Sequence, residues 1–177
     1  MSNLSLFGLV EEDAVNAPGI SLAVFCQGCW HPEDTPNMVK GHCVNCHNPL
    51  SHPATGGIEY SVDKIMEILK ANPLHKTLVI SGGEPVCQAE QLQPLLQQAK
   101  EAGYKVWLYT GYTFEQLRYR KEWDYLKDNI DVLVDGPFIE SLKSTRLHYR
   151  GSKNQRLIDI PKTLKSDKVV LYKKNAE

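Results

Sequence analysis

Thr77-Leu78-Val79-Ile80-Ser81-Gly82-Gly83-Glu84-Pro85 is a short apolar run that breaks into two glycines, an acid and a proline. An uninterrupted apolar run bounded by turn residues reads as a strand buried on both faces. Helical patterns flank it. Ahead of it, Ser61 is a good N-cap for a helix with Val62, Ile65, Met66 and Leu69 on one face, ended by Asn72-Pro73. Behind it, Leu92, Leu95, Leu96 and Ala99 mark a second helix that stops at Gly103, with Pro94 expected in its first turn. The pattern then repeats. Residues 105–109 read as a strand, Thr113-x-x-Gln116 as the capping box of a third helix, and residues 132–134 as another strand. Two further strands are expected before this unit, at residues 3–10 and 20–26, separated by a Pro18-Gly19 turn, and a last one at residues 169–172. Strands alternating with helices imply an α/β fold with a mostly parallel sheet and crossover helices.

The chain has 177 residues, which predicts one domain. Lys plus Arg is 20 and Asp plus Glu is 21, a net charge of −1. Such a balance supplies no broad field to hold a nucleic-acid backbone or an anionic membrane. No apolar run approaches the ~18 residues of a membrane span. Residues 1–10 lack a basic stretch followed by a long apolar one, so no signal peptide is expected and the predicted location is cytoplasmic.

In parallel sheets, ligands bind beyond the carboxyl ends of the strands. Four suspicious loops follow such ends: the stretch after Cys26, Gly82-Gly83-Glu84-Pro85, Thr110-Gly111-Tyr112 and Asp135-Gly136-Pro137-Phe138. The first of these concentrates the chain's cysteines. Cys26, Cys29, Cys43 and Cys46 fall within 21 residues, and Cys87 stands apart. A chain of this size without a secretion signal does not call for a disulfide framework, so the grouping points to metal or redox chemistry. The bare pattern C-x2-C-x13-C-x2-C is close to a zinc ribbon, with His31, His42 and His47 as added donors. Thiolates also hold iron–sulfur clusters, so both readings stand on spacing alone. Cys26 ends an apolar strand and is equally readable as a core residue, while Cys87 reads as a free structural cysteine. His52, His75 and His148 read as surface or capping residues.

The motifs together resemble a known family. Phe25-Cys26-Gln27-Gly28-Cys29-Trp30-His31 is similar to the F-x-Q-G-C-P-H of radical S-adenosylmethionine (SAM) enzymes, and Cys43-Val44-Asn45-Cys46-His47-Asn48-Pro49 to the C-P-G-C-H-N-P of the activating enzymes of anaerobic ribonucleotide reductase. Ser81-Gly82-Gly83-Glu84-Pro85 resembles the family's SAM-binding motif. Val134-Asp135-Gly136-Pro137-Phe138 and Tyr149-Arg150-Gly151-Ser152-x-Asn154-Gln155-Arg156 resemble segments typical of the reductase activases. The resemblance covers about residues 4–160, with every motif in family order. The family usually has C-x3-C-x2-C, so the 13 residues from Trp30 to His42 are read as an insertion, an exposed loop.

The resemblance implies a partial (β/α) barrel of the radical SAM type, one domain over 1–177 with an inserted loop at about 30–42. It implies a [4Fe–4S] cluster held by Cys29, Cys43 and Cys46, with Cys26 left out, and SAM bound by Asn45, His47, Gly82, Gly83, Glu84 and Asp135. Arg150, Asn154, Gln155 and Arg156 are candidate contacts to SAM or to a partner. The implied activity is reductive cleavage of SAM and generation of a glycyl radical on the anaerobic ribonucleotide reductase large subunit, with flavodoxin or ferredoxin as electron donor. Two alternatives remain at this level. One is a small-molecule radical SAM enzyme resembling 7-carboxy-7-deazaguanine synthase, and the other a non-enzymatic zinc-ribbon protein.

Overall fold

A computed structural model describes residues 3–173. Strand β1 (Asn3–Asp13) turns back into β2 (Ile20–Cys26). Asp13 holds that turn, accepting from the Asn16 backbone N–H at 3.2 Å and from the Ser21 hydroxyl at 2.9 Å. After β2 comes a small hairpin, β3 (Met38–Val39) and β4 (His42–Cys43), then β5 (Ile58–Ser61) and helix α1 (Val62–Ala71). The chain continues as β6 (His75–Gly82), α2 (Ala89–Glu101), β7 (Lys105–Tyr109), the short helices α3 (Phe114–Leu117) and α4 (Trp123–Leu126), β8 (Val132–Asp135), β9 (Arg156–Asp159) and α5 (Ile160–Ser166).

The main sheet has seven strands in the order β5-β1-β2-β6-β7-β8-β9. Its centre, β2-β6-β7-β8, is parallel, and the flanking pairs of β1 with β2 and β5, and of β8 with β9, are antiparallel. The sheet is open, with β5 and β9 as its edges. Its parallel strands follow one another in chain order. Right-handed crossovers made in one direction place the intervening helices on one face.

Strand periodicity of two divides the side chains accordingly. Leu22, Val24, Leu78, Ile80 and Leu108 join α1 and α2 in the larger core. Ala23, Val79, Trp107, Val132 and Val134 point the other way, where Tyr149, Leu157 and Tyr172 pack instead of helices. Among the described residues no helix is long and apolar enough to cross a membrane.

Three local expectations change. Pro94 lies inside α2, past its first turn, because Pro85–Gln88 forms a 3₁₀ turn that feeds directly into the helix at Ala89. Residues 169–172 form no named strand. They run beside β9 through one bridge, Ile158 to Leu171, with Asp159 N–H donating to the Val170 carbonyl at 2.8 Å. The insertion is more ordered than a loop. Lys40 and Gly41, at φ of 50° and 75°, make the two-residue turn of the β3–β4 hairpin, and paired positive φ angles are what such turns require.

Candidate metal and cofactor site

The loops leaving β2, β6, β7 and β8 meet around one cavity of about 380 Å³ on the helix-free face. Parity decides which residues reach it. Phe25 and Ser81 line it, whereas their neighbour Cys26 is fully buried in the opposite core among the α1 and α2 side chains. Cys29, Cys43 and Cys46 all line the cavity, as do Gly82, Gly83 and His47.

The cysteine loop is laced to its neighbours by backbone bonds. Gly28 N–H donates to Ser51 O at 2.7 Å, Cys29 N–H to His52 O at 3.0 Å, and Glu84 N–H to Gly28 O at 2.7 Å. Two glutamines to which the sequence assigns no role reinforce this frame. The Gln27 amide donates to Pro53 O at 2.7 Å, and the Gln88 amide to Gln27 O at 2.8 Å. Gly82 sits at φ 101°, and a Cβ there would run into the Cys26 backbone nitrogen. A Cβ on Gly83 would meet the Gly28 carbonyl in the same way. Gly82 is therefore required by the close approach of β6 to the end of β2, and Gly83 by the approach of the following loop to the cysteine loop.

Burial pushes the Cys29 and Cys43 thiols up from their ordinary range. For Cys43 a backbone hydrogen bond from Phe138 pulls partly back. Cys46 accepts from the Asn48 N–H at 3.4 Å. No disulfide ties these sulfurs, since all five cysteines are free. Cys87 lies outside this cavity, with its thiol 3.8 Å from Trp30 O. Three soft donors lining one cavity fit a cluster ligated by three thiolates.

Glu84 lines the cavity yet is 1% exposed, and both its oxygens are engaged. Oε1 accepts from Val86 N–H at 3.0 Å and Thr110 Oγ1 at 2.9 Å. Oε2 accepts from Gly111 N–H at 2.8 Å and lies 3.1 Å from His31 Nε2. It ties the β6 loop to the β7 loop and to the start of the insertion. Asp135 is likewise 1% exposed, accepting from Phe114 N–H at 2.7 Å and from Arg156 at 2.5 Å. With Asn154 and Arg156 it borders a neighbouring depression and not this cavity. Arg150 and Gln155 do line the cavity, and the segment braces itself: Arg150 donates to Gln155 O at 2.9 Å and Gln155 to Gly136 O at 3.1 Å. Asn45, exposed at φ 53°, turns the chain between Cys43 and Cys46 and is not part of the cavity wall.

The histidines divide: His75 takes the capping role expected of it, and His52 departs from the sequence reading. His75 is buried, not at the surface, and its Nδ1 meets the Leu69 carbonyl of α1 at 3.0 Å. His52 stacks on His42 with ring centroids 4.1 Å apart and lines the cavity beside Cys29. Burial and the adjacent His42 hold the His52 pKa below its ordinary value. Only the folding of the insertion brings this pair together.

Residues 15–158 match the family model described as a 4Fe-4S single cluster domain. The chain is 35% identical over 151 residues to the anaerobic ribonucleoside-triphosphate reductase-activating protein of Vibrio cholerae, a match covering 81% of this chain and 90% of that one. It is 31% identical over 153 residues to the proteins of the same name from Escherichia coli K12 (81% and 90% covered) and Enterobacteria phage T4 (82% and 87% covered). Relatives this similar, matched over this much of both chains, place the protein in the anaerobic ribonucleoside-triphosphate reductase-activating protein family.

Proposed function

We propose that the protein is a radical SAM activase of anaerobic ribonucleotide reductase, acting in the cytoplasm as one domain with a partial (β/α) barrel of the radical SAM type. When bound, a [4Fe–4S] cluster and SAM would supply a reductive one-electron cleavage to a 5′-deoxyadenosyl radical, able to take hydrogen from a glycine of the reductase large subunit. Flavodoxin or ferredoxin would deliver the electron.

The observation that carries this reading is the sharing of one cavity by Cys29, Cys43 and Cys46 with the Gly82-Gly83 strand end. A zinc ribbon needs two closed thiolate pairs. Here Cys26, which would complete the first pair, is turned into the opposite core. In the proposed site the three thiolates hold the cluster. Gly82 and Gly83 let backbone approach the ligand, His47 flanks it from the last cysteine turn, and Asn45 shapes that turn from outside the cavity. Glu84 and Asp135 act mainly by holding the loops in place, since their oxygens are already occupied. Arg150 and Gln155 close the far side, and Asn154 and Arg156, half-buried and bonded to Pro137 and Asp135, border the neighbouring depression where a partner would dock.

The test is anaerobic reconstitution with iron and sulfide, then dithionite and SAM, with 5′-deoxyadenosine quantified and a glycyl-radical signal sought on the reductase. Cys29→Ser, Cys43→Ser and Cys46→Ser are expected to lose iron, and Cys26→Ser to keep it. Iron loss in Cys26→Ser with retention in Cys29→Ser would overturn the ligand assignment. Absence of SAM cleavage by a fully loaded cluster would overturn the function.

A further inference from the structure

Resting on the SAM reading above, we propose that Arg150 determines which ligand the cavity takes, by binding the carboxylate of the methionyl group. Among the described residues lining the cavity, Glu84 supplies the one carboxylate and Arg150 the one permanent cation. The two do not pair. Glu84 is engaged by Val86, Thr110 and Gly111, with His31 alongside. Arg150 makes no ion pair among the described residues and one hydrogen bond, from Nη1 to the Gln155 carbonyl at 2.9 Å.

The edge of the guanidinium formed by Nε and Nη2 is therefore unbonded. Nε is buried without a partner, although buried donors are nearly always satisfied. The Nε and Nη2 hydrogens lie in one plane and match the two oxygens of a carboxylate. An unpaired, half-buried guanidinium in a cavity wall is complementary to an anion of that shape. A carboxylate offered by a partner protein would fit the same edge, and the two sources separate in the experiment below.

The chain fixes this side chain from both directions. Tyr149, directly before it, sits at φ 59°, a conformation that a bulky L-residue rarely adopts. Such backbone persists only where its surroundings over-determine it. Here the Tyr109 hydroxyl donates to the Tyr149 carbonyl at 2.8 Å, and the Tyr149 ring packs edge-on against Trp107. Directly after Arg150, the Gln155 side chain accepts from Gly151 N–H at 2.9 Å and Ser152 N–H at 3.2 Å. Gln155 thus holds the loop with its side chain and Nη1 with its own carbonyl. It is a positioning residue, whereas Arg150 is the group that touches the ligand.

The experiment measures equilibrium binding of SAM and of decarboxylated SAM to the full-length, cluster-loaded chain, unreduced and anaerobic so that neither ligand is cleaved. The two ligands share the sulfonium and the nucleoside and differ in the carboxylate. Arg150→Ala should weaken SAM by about 10–100-fold, the range of a hydrogen bond to a charged group, and change decarboxylated SAM by less than about twofold. Arg150→Lys, which keeps the charge and loses the fork, should fall between Ala and wild type. Gln155→Leu should lower the preference for SAM by a smaller factor. Equal weakening of both ligands would show a structural role, and undiminished SAM binding would leave the guanidinium to a carboxylate of the partner. Either result overturns the inference. Should Arg150→Ala fail to fold by circular dichroism or to load iron, Arg150→Gln takes its place and is read in the same way. A wild type that loads iron and binds neither ligand would overturn the SAM reading itself, and this inference with it.

Discussion

Replacing Glu84 by Gln tests whether one carboxylate organises three loops. Two fixed backbone donors point at it, Val86 N–H at Oε1 and Gly111 N–H at Oε2. The Thr110 hydroxyl shares the first oxygen and His31 the second. Glutamine keeps one oxygen and replaces the other by an NH₂ group. Whichever way the amide turns, that NH₂ faces one of the two backbone donors and leaves it unsatisfied. A buried donor left without a partner costs about 1–3 kcal/mol. Glu84→Ala removes both oxygens and leaves both backbone donors unsatisfied, at about 1–3 kcal/mol each, or about 2–6 kcal/mol together. For a domain of this size each kcal/mol lowers Tm by about 2–4 °C, so Gln should cost about 2–12 °C and Ala about 4–24 °C. The measurement is thermal unfolding of the cluster-free chain by circular dichroism, so that no bound group masks the difference. A Gln variant melting within about 1 °C of wild type would show that the carboxylate is not the tie. Equal losses for Gln and Ala would show that charge matters and the number of acceptors does not.

Other expectations concern the same frame. Gly82→Ala should lower the urea midpoint, because φ 101° alone strains an L-residue by roughly 1–2 kcal/mol and the new Cβ meets backbone at Cys26. An unchanged midpoint would refute the required close approach. Arg156→Ala should destabilise by about 3–5 kcal/mol, since it strands the buried Asp135. Glu115→Ala, which removes the exposed arm of the same arginine, should cost under about 1 kcal/mol, and urea titrations that rank the two in reverse would sink this account. Hydrogen bonding from Arg156 holds the Glu115 carboxyl below its ordinary value of 4.5. A lowered folded pKa gives stability that is present above the unfolded value and lost as pH falls through the folded one. Glu115→Gln should therefore flatten the stability curve below about pH 4.5 by under about 1 kcal/mol, the side chain being 55% exposed. Parallel curves for the two proteins would contradict this.

How much the sequence announces depends on whether a feature is set locally. Strands β6 and β7 are buried on both faces and read as plain apolar runs. Helix α1 carries its N-cap where expected, with Ser61 accepting from Lys64 N–H, and Thr113 and Gln116 complete both halves of their capping box. What escapes is set by distant partners. Strand β5 exists because Ile58–Ser61 lies along β1, and β9 because Arg156–Asp159 lies along β8, and neither has a period of its own. The start of α2 escapes because its apolar stripe is clearest from Leu92, while the Pro85 turn opens the helical path earlier. The site divides in the same way. Cysteine spacing and the glycine pair are visible in one dimension. The occupation of Glu84 by three donors with His31 alongside, the framing by Gln27 and Gln88, and the meeting of His42 with His52 depend on which loops touch.

Sheet topology explains why a cavity exists where these loops meet. Four parallel strands laid down in one direction, β2-β6-β7-β8, gather their crossover helices on a single face. The other face must be covered by something else. Trp107 at its centre is packed edge-on by Tyr149 and Tyr172, so the chain after β8 returns to cover part of it. The cysteine loop covers the end nearest Phe25 and Ser81, and the two covers leave the cavity between them. Beyond the strand ends at Phe25, Ser81 and Tyr109, its walls therefore come from segments without regular structure, held by side-chain hydrogen bonds and by glycines. Such segments tolerate insertion, because closing a longer surface loop adds only about 0.6 kcal/mol per doubling of length. The same architecture that brings three cysteines to one cavity thus leaves room for a hairpin between two of them. In this chain the hairpin carries His42 to His52.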